Sequence, residues 1–373
     1  MARIGINAVA LDPHRTGGAE TYLRQLIGGP AFRNALGAHD VVLFTGTPSD
    51  PVLDASGFEV VRCPVDPRRR TARILWEQAA LPALLKSRKL DLVHFPYSTT
   101  CWNYREPQVV TVHDTANFIM PRSVGLAERI YRRLLQSRYR RNPRCRLIAV
   151  SDTDRRVLLR HLDLPEDRVT RVYHGRPAGF ERAGEVEGTP RPDGELLWVG
   201  RPYHHKNVDL LVRMMAELAR RRAGRTPALR MVGLDGANRK RLGGLAARLG
   251  VEDRIHLDPP RPHGELPDLF RSAQIFVFPS LYESFGLPPL EALCAGTPVV
   301  CSDLEILREI LGPAALYADP RDPAAFAAHC GTLLDEPERR GGQVRLGLER
   351  MLGYSWDRCA RETVRAYERA LEV

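Results

Sequence analysis

The sequence predicts an α/β protein made of two similar domains, each with a doubly wound parallel sheet, that face a cleft. Short β-type runs alternate with longer helical patterns along the whole chain, and this alternation is typical of parallel sheets. A stretch rich in Gly, Pro and acidic residues at 179–194 interrupts the alternation almost midway and indicates a linker. At 373 residues the chain is long enough for two full-sized cores.

Each element is predicted from its own pattern of apolar residues. Strands are predicted where short, mostly apolar runs lie between turn signals, at Ile4–Val9, Val41–Phe44, Leu92–Phe95, Val109–Val112, Leu147–Val150, Leu196–Val199, Leu229–Val232, Ile255–Leu257, Ile275–Phe278 and Val299–Cys301. Helices are predicted where apolar residues recur every three or four positions, at Ala19–Ile27, Leu75–Lys86, Val208–Arg222, Asn238–Leu249, Leu290–Ala295 and Trp356–Leu371. This order gives a first domain over 1–178 and a second over 190–355.

The composition excludes several classes of protein. Apolar residues at 43% and charged residues at 27% are ordinary globular values and exclude a mostly disordered chain. No apolar run approaches the ~18 residues of a membrane span, and the first nine residues lack the apolar core of a secretory signal. The seven cysteines are scattered without a C-x-x-C pair, so we expect reduced, buried thiols in a cytoplasmic protein and no structural zinc.

The formal charge of +10 is unevenly distributed. Residues 1–180 carry a net charge of +11, and residues 181–373 a net charge of −1. Much of the excess lies in one arginine-rich segment, with Arg129, Arg132, Arg133, Arg138, Arg140, Arg141 and Arg144. Residues 127, 130, 131, 134 and 135 add helical apolar spacing, which predicts an amphipathic basic helix. Such a helix is either a solvated face over the core or a surface that docks on an anionic membrane or acceptor. No nucleic-acid-binding signature accompanies it, so no nucleic-acid partner is expected.

The strongest motif is the block from Ser280 to Val300, SLYESFGLPPLEALCAGTPVV. It follows a predicted strand, and a helix is expected to start at Pro288 or Pro289 because proline is favoured at the first helical position. The backbone N–H groups before that helix would form an anion site at its positive end. Glu283 and Glu291 are acceptors that suit sugar and ribose hydroxyls. The alternative interpretation makes both carboxylates partners of the helix dipole in the first turn.

Three further motifs follow predicted strands, where ligands bind in open α/β sheets. Arg201 and Lys206 follow the first strand of the second domain and offer a planar fork and a point charge for a diphosphate. Gly17 and Gly18 follow the first strand of the chain and would let a ligand approach the backbone closely. His113 ends another strand, where an imidazole can bond a substrate hydroxyl or act as acid or base.

Two patterns argue against other kinds of site. The sequence G-x-G-x-x-G is absent, which argues against an NAD(P) dehydrogenase. The Asp152-Thr-Asp154 triplet matches a D-x-D metal-binding pattern. However, Ser151 precedes a helical run over Arg155–His161, so both acids are interpreted as first-turn residues behind a serine cap.

Taken together, these residues resemble the retaining GT-B glycosyltransferases of family 4. The features that carry the resemblance occur in the family's order along nearly the whole chain: Gly17-Gly18, His113-Asp114, Arg201-x4-Lys206 and Glu283-x7-Glu291. Two further segments are similar to the bacterial mannosyltransferase-like subgroup, WEQAALP at 76–82 and DLVHFP at 91–96.

The resemblance implies a GT-B fold of two Rossmann-like domains, with the helix at 356–373 packing back on the first. The first domain would bind the acceptor and the second a nucleoside-diphosphate (NDP) sugar. The residues expected to act in catalysis are His113, Arg201, Lys206 and Glu283. The residues expected to bind the donor are Gly17, Gly18, Arg201, Lys206, Glu283, Ser284, Phe285, Gly286, Leu287 and Glu291.

The resemblance also implies a role for each residue. Arg201 and Lys206 would stabilise the departing diphosphate, Glu283 and the neighbouring amides would hold the donor sugar, and Glu291 would bind the ribose. His113 would contact the donor sugar. The segments at 203–205 and 174–175 depart from the family's common residues, which leaves the fine donor specificity open.

The expected activity is metal-independent transfer of a hexose, with mannose from GDP-mannose as the first choice, with retention and without a cofactor. The acceptor is expected to be a saccharide, a lipid-linked saccharide or a natural product. The alternatives are a UDP-sugar-dependent glucosyl- or N-acetylglucosaminyl-type transferase, an NDP-sugar epimerase or phosphorylase, and a basic membrane-binding module with a degenerate pocket. The expected location is cytoplasmic, with peripheral contact to the inner face of the cell membrane through the arginine-rich helix.

Overall fold

The computed structural model describes residues 1–12, 17–119, 125–180, 194–222 and 226–372. Most of the predicted linker at 179–194 lies outside these residues. The chain divides into two compact units. The first unit is Met1–Gly175 together with Ser355–Val373, and the second is Arg176–Tyr354.

Thirteen strands occur in the described part of the chain. The first unit contains β1 (Arg3–Asn7), β2 (Asp40–Thr45), β3 (Glu59–Arg62), β4 (Leu92–Phe95), β5 (Gln108–Val112), β6 (Cys145–Ala149) and β7 (Val169–Arg171). The second contains β8 (Leu196–Val199), β9 (Leu229–Val232), β10 (Ile255–Asp258), β11 (Ile275–Phe278), β12 (Val299–Ser302) and β13 (Ala315–Ala318).

Helices connect these strands. The first unit has α1 (Gly18–Gly28), α2 (Pro30–Leu36), α3 (Pro51–Ala55), α4 (Arg70–Ala79), α5 (Leu81–Ser87), α6 (Ala116–Ile119), α7 (Leu126–Arg141) and α8 (Asp152–Leu162). The second has α9 (Val208–Arg222), α10 (Gly236–Leu249), α11 (Leu266–Ser272), α12 (Leu287–Cys294), α13 (Glu305–Leu311), α14 (Pro323–Asp335) and α15 (Pro337–Met351). The last helix, α16 (Trp356–Leu371), packs in the first unit against α2 and the central strands.

Both sheets are parallel, as predicted. The first has the order β3-β2-β1-β4-β5-β6-β7 and the second the order β10-β9-β8-β11-β12-β13. The reversal of strand order beside β1 and β8 is the doubly wound pattern, which brings ligands to the carboxyl ends of the strands. The central strands are apolar and buried because helices cover both faces of such sheets.

All ten predicted strands are present, and three strands were missed. The missed strands β3, β7 and β13 lie at sheet edges, where one side has no neighbouring strand. Their sequences EVVR, VTR and ALYA are short and half-exposed, so they lack the long apolar run that marks a central strand.

One predicted helix is divided in the structure. The single helix predicted over Leu75–Lys86 is two helices, α4 and α5, which meet at Ala80. Pro82 follows this break, and a proline ring cannot continue a helix through the preceding turn.

The predicted arginine-rich helix is present as α7. Leu135 and Tyr139 are buried in the core, whereas Ile130 and Leu134 are 51% and 45% exposed. The helix therefore carries apolar residues on both its buried and its exposed side.

The seven cysteines are buried and free, as expected from their spacing. Within the described residues, no helix is both long and apolar enough to cross a membrane.

The carboxyl ends of β8 and β9 approach each other closely through two glycines. Gly233 has φ +108°, a conformation that favours glycine, and a Cβ atom there would lie 2.1 Å from the Gly200 carbonyl oxygen. The Gly200 N–H donates to the Val232 carbonyl at 3.0 Å, so this approach is part of the sheet edge.

We predict that Gly233→Ala lowers the free energy of unfolding by more than ~2 kcal/mol, because both the conformation and the space exclude a side chain. The matched control is Gly244→Ala in the middle of α10, where the nearest atom is 3.9 Å from the new Cβ. It should raise stability by up to ~1 kcal/mol. Chemical denaturation of both variants measures the contrast. Equal effects would contradict the steric explanation.

Candidate functional site

The second unit brings two of the predicted site residues into direct contact. Lys206 lies in a short 3-10 turn after β8, and Glu283 lies in the loop after β11. The Lys206 Nζ is 2.5 Å from the Glu283 Oε1, and the two side chains are only 17% and 10% exposed. The ammonium also lies 5.1 Å from the centre of the Phe278 ring. The ion pair therefore joins the ends of two neighbouring strands.

Asn207 braces the same edge. It has the left-handed conformation (φ 53°), which asparagine tolerates. Its side-chain amide donates to the carbonyls of Pro279 at 3.1 Å and Pro320 at 2.7 Å. The Leu281 N–H donates to the His205 carbonyl at 2.7 Å. These bonds fix the loops that follow β8, β11 and β13 against one another.

The helix of the strongest motif begins earlier than predicted. It starts at Leu287, not at Pro288 or Pro289. Gly286, with φ 86° and ψ 58°, is the residue before the helix, and this left-handed turn lets Leu287 take the first helical position. Pro288 then occupies the first turn, where its missing N–H costs no helical bond.

The carboxylates of the motif do not lie in the first turn of α12. That turn contains no acidic residue. Glu283 precedes the helix by four positions, and Glu291 is its fifth residue. The interpretation of both carboxylates as first-turn dipole partners is therefore wrong, and neither is explained by the helix dipole alone.

Burial changes the chemistry of Glu291. The side chain is only partly exposed, and loss of hydration raises its pKa from 4.5 to about 7. A carboxyl group with this pKa is present in both protonation states near neutral pH. It can therefore accept or donate a hydrogen bond.

The other residues that were expected to bind the donor are placed differently. Arg201 is exposed, and its side chain has no hydrogen-bond or ion-pair partner among the described residues. Ser284 is buried, with its hydroxyl 2.6 Å from that of Tyr282. Phe285 is buried, and its ring centre lies 6.1 Å from that of Tyr354. The fold thus joins Lys206 with Glu283 and leaves Arg201 facing solvent.

In the first unit, His113 lies in a cluster of rings. Its ring stacks on His174 at 5.3 Å between centres and lies 5.0 Å from the Tyr22 ring. Burial lowers the pKa of His113 to about 4, so the ring is neutral at neutral pH. Its Nε2 is 2.8 Å from the Pro96 carbonyl, which only accepts, so Nε2 carries the proton. The buried Nδ1, without a partner in the described structure, is then an acceptor.

A buried polar chain beside His113 was not predicted from the sequence. His94 Nδ1 lies 2.8 Å from the Tyr367 hydroxyl, and its Nε2 lies 2.8 Å from the Thr111 hydroxyl. The Thr111 hydroxyl in turn donates to Tyr22 at 3.4 Å. These residues come from β4, β5, α1 and α16, so no local motif could have revealed their contact. His174 stood out in the sequence only because residues 174–175 depart from the family's common residues.

The two predicted glycines lie at the start of α1. Gly17 is the residue before the helix, with extended backbone at φ −176°. A Cβ atom at this position would lie 2.7 Å from the Glu20 carboxylate. Gly18 is exposed, so the backbone here is open to a ligand. Thr16 lies outside the described residues.

The Asp152-Thr-Asp154 triplet is explained by its helix. Ser151 caps α8, with its hydroxyl accepting from the Asp154 N–H at 3.0 Å. Asp154 is buried and accepts from the Thr115 hydroxyl at 2.5 Å. The interpretation of both acids as first-turn residues is confirmed.

Two family models match the chain. The model described as Glycosyltransferase Family 4 matches residues 16–178, and the model described as Glycosyl transferases group 1 matches residues 180–343. Between them they span most of both units.

Two curated proteins illustrate the sequence similarity. A D-inositol 3-phosphate glycosyltransferase of Thermobispora bispora is 33% identical over 241 residues, which covers 61% of this chain and 56% of that protein. The O-antigen chain mannosyltransferase B of Escherichia coli is 31% identical over 229 residues, covering 60% of each. The chain thus spans less than two thirds of the length of these relatives.

Solved structures share the fold at lower identity. The sucrose-phosphate synthase of Thermosynechococcus elongatus has a TM-score of 0.79 at 22% identity, covering 99% of this chain and 98% of that one. The Anabaena protein HepE in complex with UDP-glucose has a TM-score of 0.73 at 14% identity, covering 99% of both. The predicted fold class is therefore confirmed.

The raised pKa of Glu291 predicts a pH-dependent stability. Because the folded state holds this proton more tightly than the unfolded chain, the contribution is favourable below pH 4.5 and is lost as pH rises to about 7. Glu291→Gln should therefore raise Tm at pH 8 relative to the original protein and change it little at pH 4.5. The exposed Glu349→Gln in the same unit serves as the control. Calorimetry at both pH values measures the difference. A pH-independent effect of Glu291→Gln would contradict the burial argument.

Proposed function

Since the chain belongs to the group 1 and family 4 glycosyltransferases and has their GT-B fold, we propose that it transfers a hexose from an NDP-sugar to a hydroxyl acceptor. The observation that supports this most directly is the Lys206–Glu283 ion pair. In this proposal Lys206 supplies a cation for the diphosphate, and Glu283 supplies an acceptor for sugar hydroxyls at the same sheet edge.

Each residue has a role in this proposal. The bond from the anomeric carbon to the diphosphate oxygen breaks, and a bond to the acceptor oxygen forms on the same face. The acceptor's proton passes to the departing diphosphate, so no protein nucleophile is needed. Arg201 and Lys206 stabilise the negative charge on the leaving group without a metal ion.

The remaining contacts orient the donor. Glu283 accepts hydrogen bonds from the sugar, aided by Ser284 and the amides of residues 285–287, and Glu291 accepts from the ribose. In the first unit, the neutral ring of His113 accepts a sugar hydroxyl through Nδ1. The open backbone at Gly17 and Gly18 is the proposed phosphate contact.

The proposed donor is GDP-mannose, and the proposed acceptor is a saccharide or lipid-linked saccharide. The name of the E. coli relative, O-antigen chain mannosyltransferase B, supports mannose as the transferred sugar and a saccharide chain as the acceptor. A UDP-sugar is the second candidate, and the UDP-glucose complex of the Anabaena protein favours it. An inositol phosphate is a further candidate acceptor because several relatives are named for it.

We predict that Arg201→Ala and Lys206→Ala each lower kcat for transfer by ~10²-fold, the scale of one electrostatic contact to a developing charge. Purified protein is incubated with GDP-mannose or UDP-glucose and a set of glycoside acceptors, and products are identified by mass spectrometry. Arg213→Ala, an exposed arginine on α9, is the matched control and should leave kcat unchanged.

Several results would contradict this proposal. Unchanged kcat in both variants would remove the leaving-group role. An isomerised nucleotide sugar formed without acceptor would indicate an epimerase, and a sugar phosphate would indicate a phosphorylase. Loss of activity with EDTA and recovery with Mn²⁺ would overturn metal independence.

We also propose that α7 docks the protein on an anionic membrane. Leu126, Ile130 and Leu134 are 68%, 51% and 45% exposed, and their spacing of four places them on one face of the helix. At 3.6 residues per turn, arginines flank this apolar stripe on both sides. An exposed apolar stripe between cationic side chains suits the interface of an anionic bilayer.

The docking proposal predicts co-sedimentation with vesicles that contain phosphatidylglycerol and much weaker association with purely zwitterionic vesicles. One variant replaces four arginines of α7 by Gln, and its binding should fall at least tenfold. These arginines are Arg129, Arg133, Arg140 and Arg141. The control replaces four exposed arginines of the second unit by Gln: Arg213, Arg239, Arg248 and Arg321. Equal loss in both variants, or no binding by the original protein, would contradict docking through α7.

A further inference from the structure

A cavity in the first unit lies at the opposite edge of the sheet from the residues proposed for sugar transfer. It has a volume of about 560 Å³ and lies between the last turns of α7 and α8. These helices lead into β6 and β7, so the cavity is near the amino ends of those strands. The residues proposed for transfer follow the carboxyl ends of strands. The cavity therefore has no role in the proposed function, and its volume suits a small-molecule ligand.

One wall of the cavity is a polar face of α7. Its members follow one another at intervals of one, three or four positions, which places them on one side of the helix: Arg133, Gln136, Ser137, Arg140 and Arg141. The three arginines are exposed, and their side chains make no hydrogen bond or ion pair with the described residues. By contrast, Arg132 on another side of the same helix pairs with Glu128 at 2.5 Å. The free cations of this part of α7 therefore line the cavity.

A fourth arginine, Arg168, joins the cavity lining from the segment before β7. It is only 8% exposed, and its Nη2 donates to the carbonyls of Tyr139, Asn142 and Cys145 at 2.6, 2.7 and 2.7 Å. The carbonyl end of a helix normally repels an anion. Here Arg168 compensates the carbonyls at the end of α7, so they do not cancel the positive charge of the exposed arginines.

The opposite wall is the turn that ends α8, at 161–165. The N–H groups of Asp163 and Leu164 both donate to the Leu159 carbonyl, so the turn is closed by its own main chain. Asp163 is the one acidic residue in the described lining. The Nδ1 of His161 lies 3.0 Å from a carbonyl of its own helix, which leaves Nε2 for another partner.

The charge balance of the lining favours an anion. Four arginines and one aspartate give a net charge of +3 without His161. Arg168 uses its donors on the main chain, but the three arginines of α7 have theirs available. A guanidinium is a planar fork of N–H donors that matches the oxygens of a phosphate. A phosphate monoester carries up to two negative charges and three acceptor oxygens, so it can meet more than one fork.

We propose that this cavity binds a phosphate group, carried either by a small phosphorylated molecule or by a lipid headgroup. The phosphate contacts the arginines of α7, and Asp163 accepts from a hydroxyl of the same ligand. A lipid can reach the cavity because the exposed Ile130 and Leu134 lie three positions before Arg133 and Ser137 on the adjoining face of α7. The binding does not depend on the proposed transfer reaction.

The first test measures binding of sn-glycerol 3-phosphate and inorganic pyrophosphate by isothermal titration calorimetry. For a ligand that binds in the cavity, the double variant Arg133→Gln/Arg140→Gln should weaken binding at least tenfold, because it removes two charge-assisted contacts. The matched control is Arg129→Gln/Arg138→Gln. It removes the same charge from the same helix at residues outside the described lining, so it should leave binding unchanged.

The second test identifies the source of the phosphate. Vesicles that contain phosphatidic acid, a monoester, are compared with phosphatidylglycerol vesicles of equal surface charge. Preference for phosphatidic acid that the cavity variant loses, and that sn-glycerol 3-phosphate competes away, would assign a lipid headgroup. Binding of the soluble probes without this preference would assign a small molecule. General docking through α7 differs from both, because it should also weaken in the control variant that lacks Arg129.

Ser137→Asp tests the cavity without removing an arginine. The new carboxylate lies four positions from both Arg133 and Arg141 and would pair with them, so phosphate binding should be lost. The Tm should change by less than about 2 °C, because exposed ion pairs contribute little to stability. Phosphate binding that persists in Ser137→Asp with an unchanged Tm would overturn the proposal.

Two further results would overturn it. One is the failure of both soluble probes to bind together with no preference for phosphatidic acid. The other is equal loss of binding in the cavity variant and its control, which would indicate a general attraction to a basic surface. Failure of the proposed function is recognised separately, because GDP-mannose and UDP-glucose should stabilise the cavity variant and the original protein equally if they bind the second unit.

Discussion

The ion pair between Lys206 and Glu283 is the interaction on which the second unit's ligand edge depends. Both side chains are mostly buried, so each charge is tolerated because the other compensates it. The pair joins residues that are 77 positions apart in the sequence. It holds the segment after β8 against the loop after β11. The two charges of the pair compensate each other. The positive charge of Arg201, which faces solvent, is therefore left uncompensated at this edge. In the proposed function, a diphosphate would meet a Lys206 ammonium that Glu283 already orients.

Side-chain amides hold the loops at the carboxyl ends of the strands in both units. Asn207 donates to two carbonyls from the loops after β11 and β13, and Gln78 bonds both sides of the loop after β4. An amide can bond two main-chain groups at once without adding charge. The loops are therefore held in place, and the charges at the edge are still those of the ion pairs. Loops held in this way need little reordering when a ligand binds, which reduces the entropy cost of binding.

The sequence predicts the centre of each sheet well and its edges poorly. Central strands such as Ile275–Phe278 are apolar because both faces are covered, whereas the edge strands β3, β7 and β13 are short and partly exposed. The motif from Ser280 to Val300 was recognised because its residues lie within one loop and helix. The buried polar chain through His94 was not, since its residues come from separate strands and helices and have no common spacing. The ring stack of His113 and His174 was missed for the same reason.

The first unit is completed by a helix from the far end of its sequence. Residues of α16 such as Tyr367 are fully buried there, and the Tyr367 hydroxyl contacts His94 at 2.8 Å. During synthesis, the whole second unit leaves the ribosome before this helix does. The second unit can therefore fold while residues 1–175 still expose the apolar surface that α16 will cover. We therefore expect the first unit to complete its fold only after α16 has been synthesised, so its apolar surface is exposed for as long as synthesis of the second unit takes.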